Sequence, residues 1–234
     1  IYKKATVYYQ KTLKLKEKLG YKKEISTCNT NLGNLQFQQE NYDNALDYYN
    51  KAVKISGEIE DKTGLSMAYV NIGNLYEEIE KIDKAEEYYL KALEIMREVG
   101  NKNGVSACYA SLAAIYQNKG KIKQAIAYYN KASELKKETK DLKGLALLNA
   151  NLSVLYYDIS DYNTALKYAE EAYEISSEIN VLPEQVKSLK SISDASFKLG
   201  KYKKSSIALS KHLELKDSLM GLQKMKELED LEAK

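Results

Sequence analysis

Asn71-Ile-Gly-Asn-Leu-Tyr76, followed by Ala85 and then Tyr88-Tyr-Leu-Lys-Ala-Leu93, decides the fold. The pattern recurs every 40 residues without a gap. Ala5, Ala45, Ala85, Ala125, Ala165 and Ser205 share one register; Tyr8, Tyr48, Tyr88, Tyr128 and Tyr168 share a second. Ala52, Ala92, Ala132 and Ala172 fall together, as do Leu32, Ile72, Leu112, Leu152 and Ile192. Small residues follow that last set: Gly33, Gly73, Ala113, Ser153 and Ser193. Such self-similarity marks a repeat architecture, in which stacked units bury faces that no unit buries alone.

Each unit reads as two helices, because its apolar and small residues recur at three- and four-residue steps. The second unit is expected to place one helix near 62–79 and the next near 82–100. Gly120 and Gly200 suit the left-handed position that closes a helix. Pro183 suits the first helical turn of the fifth unit, where its missing N–H costs nothing. The small residues predict close helix approach, Gly33 and Gly73 opposite Ala45 and Ala85. Tyr48/Tyr49, Tyr88/Tyr89 and Tyr128/Tyr129 read as core and inter-repeat packing.

The 234 residues are 44% apolar and 29% charged, with 36 basic against 33 acidic side chains. This composition is neither disordered nor fibrous. The near balance of charge and the single arginine, Arg97, argue against a nucleic-acid partner. No apolar run approaches the ~20 residues that a membrane helix needs, so membrane insertion is not expected. The chain does not start with Met, and 1–19 already read as helix interior. It is therefore expected to be a fragment of a longer protein.

The Leu-Gly pair, the tyrosine three residues later, the Gly-x-Tyr turn and the Ala, Tyr-Tyr, Ala-Leu succession resemble the tetratricopeptide repeat. The usual period is 34 residues. The helix-ending proline of the family is replaced by Gly57, Arg97, Lys137 and Ser177, which implies a longer second helix. This long variety resembles the repeats of kinesin light chain, polarity adaptors and bacterial peptide-sensing regulators. The resemblance implies an all-α, right-handed superhelical solenoid of antiparallel helix pairs. The expected organisation is a truncated repeat's second helix (1–20), repeats at 22–60, 62–100, 102–140 and 142–180, a degenerate capping repeat at 183–219, and a helical linker at 220–234.

In this family the first helices line a concave groove. The resemblance places there Asn31, Asn71, Ser111, Asn151 and Ser191, then Asn34, Asn74, Ala114, Val154 and Asp194. A carboxamide carries both a donor and an acceptor, so a row of them can pair with an extended peptide backbone without reading its sequence. Phe37, Tyr157 and Phe197, one turn on, offer side-chain pockets. The competing reading has these Asn residues bonding the neighbouring repeat's backbone. A carboxylate clamp is disfavoured, because groove lysines gather only at Lys187, Lys190 and Lys198.

Chemistry is sparsely provided. Cys28 and Cys108 share one repeat position, too far apart for a disulfide, and read as packing residues. His212 stands at an alanine position and reads as a helix-surface or interface residue. With no nucleophile–base pair and no phosphate loop in view, neither enzyme activity, a cofactor nor a metal is expected.

The tail, with apolar residues at 215, 219, 222, 225, 228 and 231, resembles the end of tetratricopeptide sensor domains in bacterial signalling proteins. There a helical linker leads to a histidine kinase or to a LuxR- or AraC-type output domain. That resemblance implies a peptide- or protein-sensing module, periplasmic if the sensor is membrane-bound and cytoplasmic otherwise. The alternative expectation is a constitutive scaffold, homodimeric through the C-terminal helix.

Overall fold

A computed structural model describes residues 2–232. Among the described residues there are eleven helices and no strand: α1 (Tyr2–Leu19), α2 (Lys22–Phe37), α3 (Tyr42–Glu58), α4 (Lys62–Glu78), α5 (Ile82–Glu98), α6 (Lys102–Asn118), α7 (Ile122–Glu138), α8 (Leu142–Asp158), α9 (Tyr162–Glu178), α10 (Leu182–Lys198) and α11 (Tyr202–Glu232). Second helices run through Gly57, Arg97, Lys137 and Ser177 before ending. Pro183 occupies the first turn of α10. α11 is continuous across 219–220. Ile1 and residues 233–234, the ends of the expected first helix and linker, lie outside the described residues.

The chain divides into two compact units, Ile1–Ile115 and Tyr116–Lys234, the division falling within α6. In the first, α2 packs on α3, α4 on α5, and α3 on α4. In the second, α8 packs on α9, α10 on α11, and α9 on α10. First helices also touch: α2 with α4, and α8 with α10.

Leu32, Ile72 and Leu112, and in the second unit Leu152, are fully buried, with Ala45, Ala85, Ala125 and Ala165. Each large apolar side chain so buried contributes roughly 1.5–3 kcal/mol. The expected close approach has a different partner from the one read in the sequence. A Cβ added at Gly33 would lie 2.4 Å from Tyr49 Cε1, and one at Gly73 2.7 Å from Tyr89 Cε1. These glycines make room for a ring, not for a facing backbone.

Ten turns share one backbone solution. Positive φ falls at Gly20, Glu40, Glu60, Glu80, Gly100, Gly120, Lys140, Ser160, Asn180 and Gly200, one every twenty residues. At each, paired bonds close the preceding helix, as with Glu60 N–H to Gly57 O and Asp61 N–H to Ser56 O. This is a Schellman closure. Asp61, Asp141 and Asp161 then cap the next helix, accepting from the N–H of Gly64, Gly144 and Thr164. The Asp141 carboxyl is held below its usual range, first by the Lys136 ammonium at 2.6 Å and then by the Gly144 N–H.

Left-handed backbone costs a residue with a Cβ roughly 1–2 kcal/mol, and glycine avoids most of that cost. Replacing both Glu60 and Glu80 by glycine is therefore expected to stabilise the fold by about 1–2 kcal/mol in urea denaturation. A loss of stability would show that those carboxylates hold the turns by other means.

The Cys28 and Cys108 thiols are free and buried. Burial raises both, Cys108 to about 11. His212 is half-buried, its Nδ1 2.8 Å from the Val186 carbonyl oxygen.

Candidate peptide-binding site

In the first unit, a cavity of about 230 Å³ brings together Asn34, Phe37, Asn71 and Asn74 with Gln38 and Tyr49. Four of the residues singled out from the sequence thus meet at one place, between α2, α3 and α4. Phe37 stands edge-on to Tyr42 at 5.7 Å. Asn31 is half-buried one turn before Asn34 on α2.

The carboxamides are organised by buried phenols. Tyr49 donates its O–H to Asn34 Oδ1 at 2.8 Å. Tyr89 has Asn74 Oδ1 and Glu77 Oε2 as acceptors, both at 2.7 Å, and its hydroxyl is also hydrogen-bonded to Ser111. Burial pushes the Tyr49 phenol up to about 12. Burial, and then the bond to Glu77, pushes Tyr89 higher still. Both phenols therefore stay neutral donors across physiological pH.

The second unit repeats part of this scheme. Asn151 Nδ2 lies 3.5 Å from the Tyr129 hydroxyl, and Asn151 Oδ1 accepts from Lys187 Nζ at 2.7 Å. Partial desolvation lowers the Lys187 ammonium. Asp194 is paired with Lys190 at 2.8 Å. Ser191 is half-buried beside them on α10. Tyr157 stands edge-on to Tyr162 at 5.2 Å, and Phe197 edge-on to Tyr202 at 5.5 Å.

The intramolecular partners of these Asn residues are thus tyrosine hydroxyls and a lysine. Tyr49 and Tyr89 lie in the core, as the sequence predicts, at 2% and 1% exposure; the bonds of their hydroxyls are not predicted from it. The signal in the sequence is chemical: a buried phenol needs a partner for its O–H, and in the first two pairs an Asn faces it. No group of three or more potential metal ligands occurs among the described residues. No described helix is long and apolar enough to cross a membrane.

Tetratricopeptide repeat family models match residues 28–58, 64–138 and 150–180. No curated protein matches the sequence. Among solved structures, BtubC (BKLC) from P. vanneervenii is similar with a TM-score of 0.85 at 20% identity, covering 94% of this chain and 93% of that one. Aspartyl phosphate phosphatase F from Bacillus subtilis gives 0.77 at 20% identity, over 93% of this chain and 57% of the phosphatase. A signal transduction ATPase with numerous domains from Pyrococcus horikoshii, which has a tetratricopeptide repeat sensor, gives 0.73 at 21%, over 81% and 30%. At these identities the likeness is one of fold. The helix pairs, their spacing and the three matching models lead to one assignment: the chain belongs to the tetratricopeptide repeat family and is a protein-interaction module.

Proposed function

We propose that the chain is the partner-binding or ligand-sensing region of a bacterial signalling protein, and that it takes an extended peptide segment on the face formed by its first helices. The reading is one of binding, without catalysis. The observation that carries it is the cavity shared by Asn34, Phe37, Asn71 and Asn74. Asn NH2 groups there suit peptide carbonyls, and Phe37 offers an apolar wall for one side chain. Each such hydrogen bond adds roughly 0.5–1.5 kcal/mol net, so affinity on the order of micromolar is the natural range. The similarity to a protein with a tetratricopeptide repeat sensor agrees with the signalling part of the proposal.

The scaffold alternative draws on α11, where Leu213, Met220, Leu222, Met225, Leu228 and Leu231 are exposed. It predicts self-association and no peptide response.

The test is selection from a random peptide library displayed on phage, followed by fluorescence anisotropy of the enriched peptides. Asn71→Ala with Asn74→Ala is expected to weaken binding at least about tenfold. The fold should survive, since the Tyr89 O–H keeps Glu77 as acceptor. No enrichment, or unchanged affinity in the double variant, would overturn the proposal. Concentration-dependent mass in light scattering without enrichment would favour the scaffold.

A further inference from the structure

A second cavity, of about 430 Å³, lies between α1, α2 and α3 and shares no lining residue with the first. Leu13, Ile25 and Ile55 give it apolar walls; Asn29 and Tyr48 give it polar ones, and the charged side chains of Glu17, Lys51, Lys54 and Glu58 complete the lining. Its volume falls in the range of small-molecule pockets, roughly 300–1,000 Å³.

The repeat itself indicates what fits there. Forty residues after Asn29 stands Tyr69, and forty further on Tyr109. The Tyr69 ring lies 5.8 Å from that of Tyr88, and Lys91 Nζ sits over both, at 5.9 and 4.7 Å from their centroids. Tyr69 is half-buried; Tyr109 is buried, with the Arg97 guanidinium 5.4 Å from its ring. In the first pair, Tyr48 and Lys51 hold the repeat positions of Tyr88 and Lys91, with Lys51 Nζ 5.2 Å from the Tyr48 ring. Of these three positions one changes: the shorter Asn29 stands for the phenol, while the walls also change at Leu13, Glu17, Ile25 and Lys54, where the next pair has Val53, Gly57, Leu65 and Glu94. The hollow therefore stands at the repeat position that a tyrosine ring fills in the next pair.

Asn29 adds an independent sign. It is 3% exposed and its Nδ2 donates to the Ile25 carbonyl at 2.8 Å, but its buried Oδ1 has no partner. Asn149, at the same repeat position in the fourth pair, donates to the Glu171 carboxylate at 3.2 Å. The counterpart of Glu171 here is Lys51, which pairs with Asp47 at 2.6 Å. An unpartnered buried acceptor costs roughly 1–3 kcal/mol, and a turn of the Asn29 side chain that brings Oδ1 to an incoming O–H would relieve that cost.

We propose that this hollow binds a phenol ring, stacked beside Tyr48 under the Lys51 ammonium, with its hydroxyl donating to Asn29 Oδ1. The proposal is independent of the peptide-binding reading.

The experiment is a ligand-observed NMR titration of the chain with p-cresol, the tyrosine side chain as a free molecule, and with toluene, which lacks the hydroxyl. Saturable binding of p-cresol is expected, about fivefold or more tighter than toluene. Asn29→Ala should erase that preference. Asn29→Tyr should supply the missing ring from within, weaken p-cresol at least about tenfold, and raise the thermal midpoint. Asn71→Ala with Asn74→Ala should leave p-cresol binding unchanged, which separates this site from the peptide face. N-acetyl-tyrosinamide binding more tightly than p-cresol would identify a tyrosine carried on a polypeptide; weaker binding would identify a free phenol. Absence of saturable p-cresol binding overturns the proposal. So does undiminished binding by Asn29→Tyr or, should that variant misfold by circular dichroism, an undiminished preference over toluene in Asn29→Ala.

Discussion

Gly73→Val is expected to destabilise the fold by about 3 kcal/mol in urea denaturation. Helix propensity alone argues the other way, since valine is a few tenths of a kcal/mol better than glycine inside a helix. Sterics decide the sign. Even a bare Cβ at Gly73 would lie 2.7 and 2.8 Å from Tyr89 Cε1 and Cδ1, and valine adds two methyl groups beyond it. The ring has little freedom to retreat. It is 1% exposed, and its hydroxyl is tied to Asn74, Glu77 and Ser111. The fourth pair solves the same problem differently, with Ser153 where Gly73 stands and Ala169 where Tyr89 stands. The larger first residue accompanies the smaller second one. Gly73→Val should therefore cost less than half as much in a Tyr89→Ala background. An equal cost in both backgrounds would show that the ring is not the obstacle.

Leu152→Ala should cost about 3–4 kcal/mol, within the range measured for fully buried leucines. Leu152 is fully buried in α8, beside the buried Ser153. Leu147→Ala, on the same helix but 43% exposed, should stay within about 1 kcal/mol. The pair shares residue type and helix, so the difference isolates burial. Denaturation of the second unit should shift with Leu152 and hardly with Leu147. Equal costs would mean that the 40-residue register assigns the wrong face of α8 to the core.

The fold was legible because its determinants are periodic. Buried apolar and small residues at fixed offsets announce helix pairs, and an unbroken register announces their stacking. The turns were read only in part. Gly120 and Gly200 advertised the left-handed position, whereas Glu40, Glu60, Glu80, Lys140, Ser160 and Asn180 adopt it despite their side chains. Chain closure between packed helices overrides local preference there, and no local signal reports it. The candidate site was legible as a row of residues but not as a network. That Asn34 and Asn74 face tyrosine hydroxyls depends on how far one helix reaches across to the next, which spacing along a single helix does not encode. The hollow beside Asn29 was invisible for a similar reason. A missing ring has meaning only once the neighbouring pairs show where that ring would stand.

The twenty-residue rhythm of left-handed residues also bears on how such a chain arises and varies. Each of the helices α1 to α10 ends with the same hydrogen-bonded closure, and every pair begins at the same phase. An in-frame duplication or loss of one pair in the gene rejoins two equivalent turns and leaves the remaining junctions intact. A one-residue insertion inside a helix has no such escape, because it rotates the rest of that helix's side chains by about 100° relative to those before it. Heritable change in a sequence built this way is therefore channelled into whole pairs and into substitutions within them, with repeat number free to drift and helix length held constant.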